Sequence, residues 1–220
     1  MPPLVPFDET LVYYDAGSPL ALVAALLSLA PQAAVVAQVT LLASRRDLCQ
    51  AALLLGNVAS VLLNKAAKNA LREPRPPSAI PHSASNEFGM PSNHAQQAFF
   101  LASFVAAWAL SGRWRVRWLA WRVLAAAGAL ALAAAVAGAR VLLAYHSLDQ
   151  VLAGGALGLV LGLAHFALVE AVLRPLVFAP IASSAWGRWL RLRDCSDVDV
   201  LLVEYEAVAA AAAVASRKRR

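Results

Sequence analysis

Three polar clusters interrupt a strongly apolar chain, and the types of their residues suit chemistry on a phosphate group. Together they supply three cations, a hydroxyl and two imidazoles. Phosphoryl transfer requires cations around the phosphate oxygens, a nucleophile behind the phosphorus and a proton for the leaving oxygen. The sequence therefore predicts a site that binds a phosphate and breaks its ester or anhydride bond. The clusters are Lys68 with Arg75, Ser92 with Asn93 and His94, and Arg140 with His146, Asp149 and Gln150.

The first cluster places two cations near a predicted helix end. Lys68 lies about two turns before Arg75, and Pro74 and Pro76 stop the helix from continuing. Both side chains can then point into one pocket, where the arginine fork binds two phosphate oxygens and the lysine supplies a point charge. The alternative is that these cations only extend toward lipid headgroups from the end of a helix.

The second cluster opens a predicted membrane span. Ser92 is the predicted N-cap, so that free backbone amides and the helix dipole face any bound anion. His94 follows in the first turn, and its titration near neutral pH suits a general acid for the leaving oxygen. The alternative is a capping serine beside a histidine that has no catalytic role.

The third cluster lies at the end of another predicted span. Arg140 and His146 are followed by Asp149 and Gln150, with two residues between His146 and Asp149. An imidazole nucleophile needs a hydrogen-bond acceptor on its far nitrogen, so that the attacking nitrogen is bare and correctly aimed. Asp149 or Gln150 is predicted to supply that acceptor, and the spacing leaves the choice open. So many ionisable residues at a membrane edge favour a functional site over a structural one.

The rest of the chain must position these clusters in a membrane. Of the 220 residues, 60% are hydrophobic and 15% are charged, and the mean hydropathy of +0.62 is outside the range of ordinary soluble domains. We predict an all-α, polytopic transmembrane bundle with about five spans, the range being four to six. Each apolar stretch is about long enough to cross a bilayer. The stretches are roughly 19–44, 48–63, 96–110, 119–139 and 151–172.

The charge distribution predicts an orientation. Threading five spans through a bilayer puts all three clusters at one membrane face, and it puts 14 of the 19 lysines and arginines on the opposite side. By the positive-inside rule that opposite side is cytosolic, so the clusters are expected at the lumenal face. The formal charge of +6 is interpreted as a topology signal, and no nucleic-acid partner is predicted. The expected division is a lumenal segment 1–18, a membrane phosphatase domain 19–174 and a cytosolic tail 175–220.

The sequence predicts neither a metal site nor another cofactor. Cys49 and Cys195 are far apart, with no Cys or His partner at ligand spacing, and neither is assigned a function. The amino terminus has no basic stretch ahead of a short apolar core. We therefore expect no cleaved secretory signal, and the first span is expected to act as the targeting signal.

The three clusters together resemble the type 2 phosphatidic acid phosphatase superfamily in their order, inner spacing and placement among the spans. The superfamily pattern is Lys-x6-Arg-Pro, then Pro-Ser-Gly-His, then Ser-Arg-x5-His-x3-Asp. The resemblance implies a metal-independent phosphatase in which His146 becomes transiently phosphorylated and His94 protonates the leaving group. The phosphate ligands that it implies are Lys68, Arg75, Ser92, Asn93 and Arg140.

The chain departs from that pattern at three positions. Asn93 stands where Gly is usual, Ala139 where Ser is usual, and Gln150 where Asp is usual. Gln150 can accept a hydrogen bond from His146, but it cannot stabilise an imidazolium by charge. Within the superfamily, the chain looks like the dolichyldiphosphatase branch, which also tends to carry Gln at the last position and a non-Gly residue before the second-motif histidine.

That branch implies an enzyme of the endoplasmic reticulum membrane that removes the terminal phosphate of a long-chain polyprenyl diphosphate, such as dolichyl diphosphate, at the lumenal face. It would recycle the carrier lipid for protein N-glycosylation. A plastid lipid phosphate phosphatase branch shares several of these features. Two other functions stay open: a broader phosphatase for phosphatidate or isoprenoid phosphates, and a catalytically weak lipid-binding protein, suggested by Gln150 and Ala139. No oligomeric state is predicted.

Overall fold

The computed structural model describes residues 11–77, 88–112, 118–195 and 203–210. The arginines at 113, 115 and 117 and the basic C-terminal end, which contribute to the predicted orientation, lie outside these ranges. A π-helical stretch, Val169–Phe178, continues α6 into α7, and residues 203–210 are also helical. The other helices are α1 (Pro19–Ser28), α2 (Ala30–Arg45), α3 (Leu48–Leu71), α4 (Asn93–Leu110), α5 (Leu119–Leu142), α6 (Leu148–Leu168), α7 (Ala179–Ser183) and α8 (Ala185–Leu190).

Four helical stretches are long and apolar enough to cross a membrane: Pro19–Arg45, Leu48–Leu71, Leu119–Leu142 and Leu148–Ser183. They coincide with four of the five predicted spans, and the all-α membrane bundle is confirmed. The remaining predicted span corresponds to α4, which has 18 residues and is polar at its start. This helix packs mainly against α5 and α6, so it forms the centre of the bundle.

Glycines bring the backbones of α4 and α6 into close contact. A Cβ atom at Gly154 would collide with the backbone of Ser92, and one at Gly158 would collide with the carbonyl oxygen of Gln96. Small residues at such a contact let two membrane helices approach closely. The backbone N–H of Ser92 also donates to the carbonyl oxygen of Gln150 at 2.9 Å. The start of α4, with the second cluster, is thereby fixed against the start of α6, with the third.

Buried amides connect α3 to the same end of α4. Asn64 Nδ2 donates to Gln96 Oε1 at 2.7 Å and to the carbonyl oxygen of Pro91 at 3.2 Å. Gln96 Nε2 donates to the carbonyl oxygen of Ser60 at 2.7 Å and to its Oγ at 2.9 Å. Because buried polar groups must be hydrogen-bonded, this network favours one alignment of the two helices. It places the carboxyl end of α3, with the first cluster, beside the loop that leads into Ser92.

The opposite end of the bundle is closed by residues near the C-terminus. Asp47 caps α3 by accepting from the backbone N–H of Cys49 at 3.3 Å, and it also accepts from that of Cys195 at 2.9 Å. Arg174 forms ion pairs with Glu170 at 3.1 Å and with Asp194 at 3.4 Å. These contacts join the π-helical stretch and the segment that follows α8 to the start of α3.

Candidate active site

The structure brings the three clusters together at one end of the bundle. Arg75 Nη1 lies 2.9 Å from the carbonyl oxygen of Tyr145 and 3.3 Å from His146 Nε2, so the first cluster meets the third. The contact between Ser92 and Gln150 joins the second cluster to the third. His94 and His146 lie within the electrostatic reach of the same three cations, which are Lys68, Arg75 and Arg140.

The two cations of the first cluster reach the site from different local structures. Helix α3 ends at Leu71, and Arg72 closes it in the left-handed conformation with φ +52°. Lys68 lies in the last turn and donates through Nζ to the carbonyl oxygen of Phe88 at 3.0 Å. Arg75 lies beyond the helix, next to Pro74, which forms an isolated antiparallel bridge with Phe88. The sequence placed both cations at a helix end, whereas only Lys68 is on the helix.

Ser92 occupies the predicted N-cap position of α4, but its hydroxyl does not cap the helix. The residue is fully buried, and its Oγ has no hydrogen-bond partner within the described ranges. The same holds for Oδ1 of the adjacent Asn93. Leaving a buried polar atom unpaired costs about 1–3 kcal/mol. An unused hydroxyl at a helix N-terminus is the arrangement that an anion would complete.

Arg140 is a buried cation, and two of its nitrogens have no hydrogen-bond partner among the described residues. Its residue is 4% exposed, and Nε and Nη1 have no partner in the part of the chain that the structure describes. The guanidinium carbon lies 3.9 Å from the centre of the Tyr145 ring, a cation–π contact. A buried cation without a carboxylate is costly, and a bound phosphate would remove that cost.

The backbone of Arg140 also shapes the turn that presents His146. Its carbonyl oxygen accepts from the backbone N–H of Tyr145 at 3.0 Å and from that of His146 at 3.2 Å. Ala144, within this turn, has a left-handed φ of +55°. Such a conformation is costly for a residue with a Cβ, and it is found where the surroundings impose it, often at functional sites.

The contacts of His146 fix its tautomer. The residue is 3% exposed, with Nδ1 3.2 Å from Gln150 Oε1 and Nε2 3.3 Å from Arg75 Nη1. An arginine nitrogen can only donate, so Nε2 carries the lone pair and Nδ1 carries the proton. This is the tautomer that a nucleophilic Nε2 requires. Asp149 is exposed in the first turn of α6, so the contact to His146 is made by Gln150, one of the two residues that the sequence left as alternatives.

Burial also controls the charge of His146. Burial lowers the pKa of this imidazole well below its usual value, and the cations of Arg75, Lys68 and Arg140 lower it further. The hydrogen bond to Gln150 acts in the opposite direction. The side chain is therefore neutral near pH 7, which is the state that a nucleophile needs.

His94 is the second residue of α4, and it contacts the junction of the first two helices. Its Nε2 lies 3.3 Å from Gln32 Nε2, and a backbone hydrogen bond joins the ring to Ser28. The α1–α2 pair thus forms a wall of the site beside the candidate general acid. His165, on α6, contacts the carbonyl oxygen of Ala52 through Nε2 at 2.9 Å and lies away from these groups.

The arrangement agrees with the comparison to known families. Residues 50–174 match the PAP2 superfamily. The chain belongs to this superfamily. It is 36% identical to dolichyldiphosphatase 1 of Homo sapiens over 220 residues, which cover 97% of this chain and 92% of that protein.

Two further PAP2 relatives show how broad the likeness is. The chain is 32% identical to dolichyldiphosphatase 1 of Dictyostelium discoideum over 195 residues, covering 89% of this chain and 85% of the relative. It is 35% identical to lipid phosphate phosphatase gamma of Arabidopsis thaliana over 164 residues, covering 70% of this chain and 68% of that protein. No solved structure matches the chain.

Several residues around the three clusters were not singled out as functional from the sequence. Their common signal is a polar or aromatic side chain within or beside an apolar span. Ser60 and Asn64, for instance, precede Lys68 at four-residue intervals on α3, which predicts one shared helix face. The residues are Gln32, Ser60, Asn64, Glu73, Gln96 and Tyr145.

Proposed function

We propose that this chain is a membrane lipid phosphatase that removes the terminal phosphate of dolichyl diphosphate or a related long-chain polyprenyl diphosphate. The products are the lipid monophosphate and inorganic phosphate. The observation that carries the proposal is the buried His146, fixed in the nucleophilic tautomer among three cations. The dolichyldiphosphatase relatives, which align with nearly the whole chain, support the choice of substrate.

The terminal phosphate would bind beside Ser92 Oγ and the Nε and Nη1 atoms of Arg140, which have no hydrogen-bond partner among the described residues. The guanidinium groups of Arg75 and Arg140 and the ammonium of Lys68 would neutralise its oxygens. The hydroxyl of Ser92 and the first backbone amides of α4, including that of Asn93, would donate to a further oxygen. These groups need no metal ion to balance the charge of the phosphate.

The reaction then proceeds in two steps. Nε2 of His146 attacks the terminal phosphorus, the bond from phosphorus to the bridging oxygen breaks, and His94 gives that oxygen a proton. The lipid monophosphate leaves, and the phosphate remains on His146 as a phosphohistidine. In the second step His94, now neutral, takes a proton from a water molecule whose oxygen attacks the phosphorus. The bond from phosphorus to Nε2 of His146 breaks, and inorganic phosphate is released.

An apolar groove farther along the helices that carry the site is the proposed place for the lipid tail. It has a volume of about 250 Å³ and lies between α3, α4 and α6. Ser60, which lines it, belongs to the amide network that ends at the loop before Ser92. A chain of isoprene units could extend from the phosphate site along α3 into this groove. The apolar lining includes Gly56, Ala59, Leu63, Phe100, Leu161 and Leu168.

The charge distribution supports a lumenal active site in the endoplasmic reticulum. The described arginines remote from the site include Arg45, Arg46, Arg174 and Arg193, which lie near the other helix ends. By the positive-inside rule, the end that bears more of the lysines and arginines faces the cytosol. A phosphatase with this orientation would return the carrier lipid to protein N-glycosylation.

A broader lipid phosphatase is the second candidate. The likeness to lipid phosphate phosphatase gamma of Arabidopsis thaliana favours it, because that protein aligns with 70% of this chain. In an organism with plastids, a phosphatase of this kind would lie in a plastid membrane. The third candidate is a lipid-binding protein without turnover, which Gln150 in place of an aspartate suggests.

The deciding experiment is phosphate release by the purified protein in detergent with a chelator present. Polyprenyl diphosphate, polyprenyl monophosphate and phosphatidate are compared, and His146→Ala is assayed in parallel. We expect diphosphate-selective release that survives chelation and is lost in the variant. Equal rates on phosphatidate would support the broader phosphatase. Binding of the diphosphate without release by the folded protein would favour the lipid-binding alternative.

A further inference from the structure

Glu73 lies behind Gln150, on the side away from His146. Gln150 Nε2 donates to Glu73 Oε1 at 3.0 Å and to the carbonyl oxygen of Pro74 at 2.8 Å. Gln150 Oε1 faces His146 Nδ1 at 3.2 Å and accepts from the backbone N–H of Ser147 at 3.3 Å. Two acceptors on one side and a backbone donor on the other fix the orientation of the amide.

This orientation connects a carboxylate to the imidazole through one amide group. With Nε2 of Gln150 held by Glu73, its Oε1 must accept the proton on His146 Nδ1, and Nε2 of His146 stays bare. A carboxylate that accepts from an amide N–H also increases the negative charge on the amide oxygen, because hydrogen bonds in a chain polarise one another. The buried Gln150 can therefore transmit part of the support that it cannot supply by its own charge.

One short segment acts on both nitrogens of His146. Glu73 and Arg75 are two residues apart, and Pro74 between them pairs with Phe88 in an isolated bridge. In extended backbone, residues i and i+2 point to the same side. Glu73 thus acts on Nδ1 through Gln150, while Arg75 contacts Nε2 directly. Gly89 leaves room for this arrangement, because a Cβ there would collide with the side chain of Gln150.

We propose that Glu73 is a positioning residue for His146, and that its carboxylate, acting through Gln150, replaces the charge of the aspartate that this site lacks. The inference rests on the proposed phosphatase function. It predicts that the charge of Glu73, more than its shape, determines the rate of the chemical step. The charged groups that act on His146 are then Arg75, Lys68 and Arg140 on the phosphate side and Glu73 behind Gln150.

The test compares Glu73→Gln, which keeps the shape and an acceptor but loses the charge, with Glu73→Asp, which keeps the charge on a shorter side chain. We expect kcat for polyprenyl diphosphate to fall about 10- to 100-fold in Glu73→Gln, with KM within about twofold. Glu73→Asp should be faster than Glu73→Gln. Glu204→Gln, which removes a carboxylate from the opposite end of the bundle, is the matched control and should stay within about twofold of wild type.

The pH profile separates positioning from mere structural support. Loss of the Glu73 charge lowers the pKa of His146 further, so the acid limb of kcat should move to lower pH. A loosened site that admits water would raise the pKa of His146 toward its usual value and move the limb to higher pH. Wild type and Glu73→Gln act on the same lipid, so the ionisation of the lipid does not affect the difference between their pH profiles.

The outcomes distinguish this inference from the function on which it rests. Suppose that wild type releases phosphate and His146→Ala does not. If the kcat of Glu73→Gln then equals that of wild type or exceeds that of Glu73→Asp, or if only KM changes, Glu73 is not a positioning residue. An acid limb that moves upward also overturns the inference. If wild-type protein releases no phosphate at all, the proposed function fails and the inference fails with it.

Discussion

Each end of the bundle holds an arginine that is largely shielded from solvent, and the two arginines differ in the partners of their guanidinium groups. At the site end, Arg140 is 4% exposed and stacks on Tyr145, while two of its nitrogens lack partners within the described residues. At the opposite end, the side chain of Arg174 is 10% exposed and is paired with Glu170 and Asp194. Among the described residues, carboxylates pair with Arg174, whereas none contacts Nε or Nη1 of Arg140.

We interpret this difference as the one between a structural ion pair at Arg174 and the proposed phosphate site at Arg140. Carboxylates compensate the charge of Arg174, and these ion pairs join two parts of the chain. Arg140 has the same need for an anion, and the described part of the fold does not provide one at Nε or Nη1. The protein thus keeps a costly charge at the end where we propose that a phosphate binds, in line with the trade-off between stability and activity.

The largest expected effect is at the proposed nucleophile, His146. His146→Ala removes Nε2, and we expect phosphate release from polyprenyl diphosphate to fall by at least about 1,000-fold. Release is measured as inorganic phosphate in detergent, and the melting temperature shows whether the fold is intact. If a folded His146→Ala protein retains more than about a tenth of the activity, the nucleophile lies elsewhere.

The two arginines provide a direct test of the comparison. Arg140→Met should lower kcat/KM about 100- to 1,000-fold, because it removes a phosphate ligand, and it should raise the melting temperature, because it removes an uncompensated buried charge. Arg174→Met should lower the melting temperature and leave activity within about twofold of wild type. Thermal unfolding and phosphate release are measured on the same preparations.

Added ligand makes the comparison of the arginines sharper. Inorganic pyrophosphate should raise the melting temperature of wild type and of Arg174→Met, since a ligand that binds only the folded state stabilises it. The increase should be much smaller in Arg140→Met. A lower melting temperature for Arg140→Met than for wild type, in buffer free of phosphate and sulfate, would mean that Arg140 is a structural tie as well.

The sequence predicted the apolar helices and the convergence of the clusters, because hydrophobic length and charge bias are local properties of the chain. It could not predict which neighbour orients His146, since Asp149 and Gln150 differ by one residue and only the helix rotation decides. The role of Glu73 was also out of reach, because it depends on a contact across 77 positions. Close packing at Gly154 and Gly158 sets these distances, and a single chain does not reveal its packing partners.

A smaller effect is expected at the apolar groove between α3, α4 and α6. Ala59→Phe adds a ring at the groove between α3 and α6, and we expect KM to rise about tenfold for a long polyprenyl diphosphate and to stay unchanged for a short-chain analogue. Leu55→Phe, one turn away on an exposed face of α3, is the matched control and should change neither value. Equal changes for both substrates would show that the tail lies elsewhere.

The smallest expected effect is a displacement of the pH profile. Burial and nearby cations hold the pKa of His146 well below its usual value, so the nucleophile stays neutral, and activity should persist as the pH falls below 6.5. Lys68 is one of those cations, and Lys68→Gln therefore raises the pKa of His146 toward its usual value and should move the acid limb of kcat to higher pH. Arg174→Met removes a cation from the opposite end and should leave the limb in place. A limb that moves equally in both variants would mean that His146 responds to the total charge of the protein, whereas a shift in Lys68→Gln alone would place the control of the nucleophile in the site itself.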